Sequence, residues 1–134
     1  MRKERINPPG VMKHPAFNRI ITVEGPTKLI FFSGQTPQTD DFGCFAPGDL
    51  KAQYRFVMDK LQIQLDAVGA TWSDVVVRKL YLTDFEEWYR VSRDPDFPDY
   101  FGDARPTSTG IGVTRLAHPD FMVEVDLIAA VEPS

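Results

Sequence analysis

Glu124 and Asp126 stand two apart in Val123-Glu124-Val125-Asp126. On a strand this spacing sets both carboxylates on one side, roughly 7 Å apart. Such a pair suits a ligand held between them, because burial of one carboxylate raises its pKa for acid–base work. The structural alternative is that one of them simply pairs with Arg78, Arg105 or Arg115. Ser108, Gly110 and Gly112 alternate in the same way within Thr107 to Leu116. Glycine weakens a strand interior unless something must approach closely, so two of them beside a serine leave a shallow groove for another chain or a ligand. His14, His118 and Cys44 match no metal-ligand spacing. Asp94, Asp96, Asp99 and Asp103 lack the glycine and terminal glutamate of a calcium loop, and prolines interrupt them. No basic neighbour stands beside Cys44 to lower its thiol pKa.

These residues need elements to position them. Ile, Phe and Thr dominate Phe17 to Val23 and Lys28 to Ser33, with Glu24-Gly25-Pro26-Thr27 as turn chemistry between, which predicts a β-hairpin. Residues 36–48 read as a loop. A helix is expected from Asp49, whose carboxylate caps the first turn, to Gly69, placed to end it in the left-handed conformation. Ala52, Phe56, Val57, Leu61, Leu65 and Val68 form its inner stripe. A strand follows from Val75 to about Leu82. A second helix, capped by Asp84, runs to about Arg93 and stops at Pro95 and Pro98. The last third reads as two strands: Thr107 to Leu116, then one with Phe121, Val123, Val125, Leu127 and Ala129 on a single face. The order ββαβαββ predicts an α+β fold, a mixed sheet with two helices on one face.

Helices take the aliphatic sets, so the other face is expected to carry Glu124, Asp126, Ser108, Gly110, Gly112 and either Arg78 or Lys79. That face is either a solvated polar surface, as antiparallel sheets often have, or a subunit interface, which the paired glycines favour.

The chain has 134 residues, 15 Lys+Arg against 19 Asp+Glu, and a net charge of −4. This length suits one domain, here residues 16–134, preceded by a polar, proline-bearing extended arm, residues 1–15. Hydrophobic residues at 43% exclude a disordered chain. The acidic balance argues against nucleic-acid binding, which needs clustered cations. One cysteine closes no internal disulfide, and no apolar run approaches the roughly 20 residues of a membrane span. The expected location is the reducing cytoplasm.

Taken together, Ser33-Gly34-Gln35 after an apolar strand, Gln53 on a helix ending at Gly69, Val75-Val76-Val77-Arg78-Lys79, Asp84-Phe85 and Val123-Glu124-Val125-Asp126 resemble the RidA (YjgF) family. The resemblance spans about residues 16–131. It implies a chorismate-mutase-like subunit assembling into a homotrimer around a central barrel, with pockets between subunits. It also implies cofactor-free, metal-free hydrolysis (deamination) of a small reactive enamine or imine. By position, Glu124 would handle water, Phe17 would replace a pocket tyrosine, and Ser33, Gly34 and Gln35 would help hold the substrate, with Thr109 and Asp126 lining the pocket. The family grips the substrate carboxylate with an arginine before the fifth strand. A gap-free alignment on Pro106 and Arg115-Leu116 puts Ser108 there, whereas a three-residue insertion would match Arg105. Serine lacks both the charge and the fork that clamp a carboxylate. Two readings follow: an enzyme in which Glu124 acts with Arg105 reaching in from its loop, or a non-catalytic metabolite-binding module.

Overall fold

A computed structural model describes residues 1–134. Its elements are β1 (Arg2–Ile6), β2 (Ile20–Glu24), β3 (Lys28–Gln35), α1 (Leu50–Ala67), β4 (Val75–Leu82), α2 (Phe85–Ser92), β5 (Thr107–Gly112) and β6 (Val123–Val131). A single 3-10 turn, Trp72–Asp74, leads into β4. Four strands form the main sheet in the order β3-β6-β4-β5, with β6 antiparallel to both neighbours and β5 parallel to β4. The fold is the expected α+β arrangement of two helices and a mixed sheet.

Both helices begin where a side chain satisfies their otherwise unpaired first N–H groups. Asp49 accepts from Ala52 N at 3.0 Å, and Asp84 from Glu87 N at 3.1 Å. Gly69, at φ +69°, carries the chain out of α1. The core lies between the helices and one sheet face. Leu50, Val57, Met58, Leu61 and Leu65 of α1 and Val91 of α2 meet Leu80 and Leu82 of β4 and Val123, Val125 and Leu127 of β6. The buried stripe of α1 is rotated from the expected one. Gln53 and Tyr54 are inside, while Val68 is 40% exposed. Gln53 is tolerated because its amide is fully used: Nε2 donates to Asp120 O and Ala46 O, and Oε1 accepts from Met122 N at 2.8 Å.

Three expectations need correction. The hairpin between residues 17–23 and 28–33 does not form. β2 pairs instead with β1, and β3 with β6, so the turn at Gly25 hands the chain from one sheet to the other. The long apolar β6 buries β3 better than a short β2 would. The N-terminal arm is accordingly a strand of the fold along Arg2–Ile6, held to β2 by the ladder and by an Arg2–Glu24 ion pair at 3.0 Å.

The third correction concerns β5, which ends at Gly112 and turns its small residues the other way. Register places Ser108, Gly110 and Gly112 opposite Arg78, Leu80 and Leu82, on the helix side. A Cβ at Gly110 would stand 3.1 Å from the Phe85 ring, and one at Gly112 would stand 3.5 Å from it. The glycines thus admit Phe85 of α2 and are not a groove on the open face. That open face carries Lys79 and Tyr81 of β4, Thr109 and Ile111 of β5, and Glu124, Asp126 and Ile128 of β6. It also carries Leu29 and Phe31 of β3, which are 53% and 71% exposed. Far from being a plainly solvated polar surface, it is a mixed face with a large apolar share. No helix is long and apolar enough to cross a membrane.

Candidate active site

Glu124 sits on the open face of β6, opposite Tyr81, with Ile111 one strand further out. On its other side β3 bulges: the ladder with β6 slips between Phe32 and Gln35, which releases Ser33 and Gly34 from regular pairing. The glutamate folds over this bulge. A Cβ added to Gly34 would lie 2.0 Å from Glu124 Oε2 and 2.9 Å from its Cδ. Gly34 is required here for space alone. Ser33 is exposed beside it, and its hydroxyl bonds to nothing in the chain.

Asp126, two residues along, accepts from the Tyr81 hydroxyl at 3.0 Å. Tyr81 was not singled out in the sequence; period-two alternation through β4 puts it on one face with Lys79, which is the only signal for it. Burial, with the Asp126 charge second, holds the Glu124 carboxyl above its ordinary range. Burial and then the bond to Asp126 raise the Tyr81 phenol. Neither carboxylate makes an ion pair within the chain. The arginines that could have neutralised them go elsewhere: Arg78 to Ser108 and Tyr54, Arg105 to Asp99, Arg115 to the Leu116 carbonyl.

The expected site residues therefore divide. Glu124, Asp126, Ser33, Gly34 and Thr109 share the open face. Gln35 turns to the helix side, where its Oε1 accepts from Gln64 Nε2 at 2.8 Å, and it anchors the bulge from behind. Ser108 also lies on the helix side and accepts from Arg78 Nε at 3.0 Å. Arg105 precedes β5 at the end remote from Ile111, about 13 Å or more along the strand from the level of Glu124. There it pairs with Asp99 at 2.8 Å. Phe17 stacks on His14 at 4.4 Å between centroids and, with Arg105, lines a separate depression of about 290 Å³. Within one chain Arg105 and Phe17 do not reach Glu124. No three His, Cys, Asp or Glu side chains converge to hold a metal ion.

Chemically, the open-face site offers a carboxyl group whose raised pKa makes its ionised form a stronger base, a second carboxyl group fixed by a phenol, and an unpartnered hydroxyl over a strand bulge. Once ionised, such a group can take a proton from water and return it to a leaving atom.

Residues 13–131 match the family model described as Endoribonuclease L-PSP. A RutC family protein of Pyrococcus abyssi is 31% identical over 101 residues, 75% of this chain and 77% of that one. The 3-aminoacrylate deaminase RutC of Acinetobacter baylyi is 25% identical over 131 residues, covering 98% of this chain and all of that one. Among solved structures, a Rid family protein of unknown function from Yersinia pestis superposes with a TM-score of 0.77 at 24% identity, over 98% of this chain and 100% of its own. The chain belongs to the RidA (YjgF) family.

Proposed function

We propose that the protein hydrolyses a small enamine or imine without a cofactor, at clefts that its open sheet face forms against other copies in a homotrimer. The observation that carries this is Glu124: half-buried, free of any cation in its own chain, held above its ordinary pKa and laid over the Gly34 bulge. Resemblance to a 3-aminoacrylate deaminase supports the substrate class. In this reading an enamine gains a proton on carbon and loses one from nitrogen to become the imine. Ionised Glu124 takes a proton from water as the water oxygen adds to the C=N carbon and returns it to nitrogen, giving a carbinolamine. A second transfer then moves the carbinolamine O–H proton through Glu124 to nitrogen as the C–N bond breaks, releasing ammonia and a carbonyl product. The exposed Leu29 and Phe31 support the oligomer, since a lone chain would leave them in water.

The test is ammonia release from a panel of enamines and imines generated in solution. Wild type is expected to exceed the uncatalysed rate, and Glu124→Gln to fall by about 10²-fold or more. Equal rates in both would overturn the reading. Sedimentation that found only a single 15.2 kDa chain would remove the clefts.

A second reading, a metabolite-binding module without turnover, is favoured by one observation. Ser108, which the gap-free alignment puts at the family's arginine position, faces the helix side, and Arg105, the other match, is paired with Asp99, so neither alignment brings a guanidinium of the same chain to Glu124. Ligand retained by both wild type and Glu124→Gln, with no ammonia released by either, would establish it.

A further inference from the structure

Beneath α1, on the face of the sheet away from Glu124, the chain buries a charge without a counter-charge. Arg78 of β4 is only 8% exposed and makes no ion pair. Its guanidinium is fixed on three sides. Nε donates to Ser108 Oγ at 3.0 Å, Nη1 donates to the Tyr54 hydroxyl at 3.4 Å, and the Phe101 ring lies 5.3 Å from Cζ. Buried arginines are ordinarily paired, because an uncompensated charge away from water is costly.

The hydrogen bonds around it are one-sided. Both hydroxyls accept from Arg78, so each still has a proton to give, and no acceptor in the chain takes either. Nη2 donates to nothing. Every fully buried side-chain nitrogen or oxygen has a partner, so Nη2, which has none, keeps an opening to solvent. Three donors and a fixed positive charge thus converge with no acceptor, and the missing complement is an anion with two oxygens. The segment that carries Phe101 is held by Asp99, whose Oδ1 accepts from the Phe101 and Gly102 N–H groups and whose Oδ2 pairs with Arg105. Asp99, Gly102 and Arg105 also line the neighbouring depression, which Lys13 and His14 close on its other side. Asp103 lines it too, so the two cations there are balanced by two carboxylates and the pull on an anion comes from Arg78 itself.

We propose that Arg78, Tyr54 and Ser108 form a binding site for the carboxylate of a small organic acid, entered beside the Asp99–Arg105 pair. This site is distinct from the Glu124 face and does not depend on the activity assigned there. The serine at position 108 becomes intelligible in this light: it is the acceptor that orients a guanidinium supplied by the neighbouring strand.

The experiment titrates the full chain with propionate, and with uncharged propionamide, at constant ionic strength. Thermal unfolding and the Arg78 Nε–H proton resonance are followed together. Propionate is expected to raise the melting temperature and shift that resonance, and propionamide to do neither. Arg78→Met should weaken propionate binding by roughly tenfold or more, since it removes a charge-assisted pair of bonds. Ser108→Ala and Tyr54→Phe should weaken it less, and Glu124→Gln should leave it unchanged, separating this site from the open face. Should Arg78→Met fail to fold, Arg78→Lys takes its place, keeping the charge without the fork and still weakening propionate. Equal binding of propionamide, undiminished propionate binding in the arginine variant, or no response of wild type to propionate would each overturn the proposal.

Discussion

Adding one methyl group at Gly34 tests the site's geometry while leaving the Glu124 side chain chemically intact. The three atoms nearest the new Cβ all belong to the Glu124 side chain, with Oε2 at 2.0 Å, Cδ at 2.9 Å and Cγ at 3.2 Å. Ordinary contact begins at 3.4 Å, so the carboxylate oxygen must retreat by about 1.4 Å. The end of a glutamate can do this by rotating, at about 0.5–1.5 kcal/mol for an off-rotamer torsion. Gly34 has no left-handed backbone to protect. Restricting the unfolded chain therefore stabilises by about 0.4–1 kcal/mol in the opposite direction. Gly34→Ala should then change folding stability by no more than about 1 kcal/mol of either sign, as thermal or urea unfolding would show. Turnover should respond far more strongly, because a reacting group misplaced by about 1 Å can cost on the order of 10²-fold. The decisive control is the same substitution in a Glu124→Ala background, where the obstruction is gone and only the stabilising entropic effect remains. A Gly34→Ala protein with wild-type turnover would refute the positioning argument. One that lost several kcal/mol of stability in both backgrounds would show that something other than Glu124 requires the glycine.

Gln53→Leu leaves the Met122 N–H without a partner and the Asp120 carbonyl with only the weak Cys44 Sγ contact; a loss of about 1–3 kcal/mol for the orphaned N–H is expected in urea unfolding. Because the Glu124 pKa is raised in the folded chain, the native state holds a proton that the unfolded chain has released. Stability should then fall as pH rises from the ordinary glutamate value, about 4.3, through the raised one. Glu124→Gln should flatten that part of the pH–stability curve, and an unchanged slope would contradict the assignment. Phe31→Lys, at a position 71% exposed in the single chain, should leave the fold intact yet shift sedimentation from trimer to monomer. A trimer that survived the lysine would place the subunit contact elsewhere.

The parts of the fold legible in the sequence are those where a local rule has one solution. Asp49 and Asp84 cap helices because each precedes an apolar-periodic run and can reach an unpaired N–H, and Gly69 ends α1 because few residues tolerate its φ. The Val123–Ala129 alternation identified the core face of β6 because Glu124 and Asp126 hold two of the three intervening positions. Pairing partners were not legible. A turn at Gly25 is compatible with a hairpin, but which strand β3 joins depends on the area that β6 can bury, and β6 lies almost a hundred residues away.

The parity of β5 was misread for a reason that bears on function. Assigning Ile111 to the helices assumes that apolar residues mark the covered face. That rule fails when both faces are apolar, as they are here, with Leu29, Phe31, Ile111 and Ile128 on the side without helices. Val75-Val76-Val77 in β4 gives no parity signal for the same reason. The two glycines then look like a ligand groove, when they are the clearance for Phe85 of α2. Reversing the parity moves Ser108 and Arg78 out of the Glu124 site and into contact with each other. The Arg78 guanidinium and the Glu124 carboxyl therefore lie on opposite faces of one subunit. A single ligand could meet an arginine and Glu124 together only where a second copy supplies one of them. The activity proposed for the open face thus stands or falls with assembly, whereas the Arg78 site is complete in one chain.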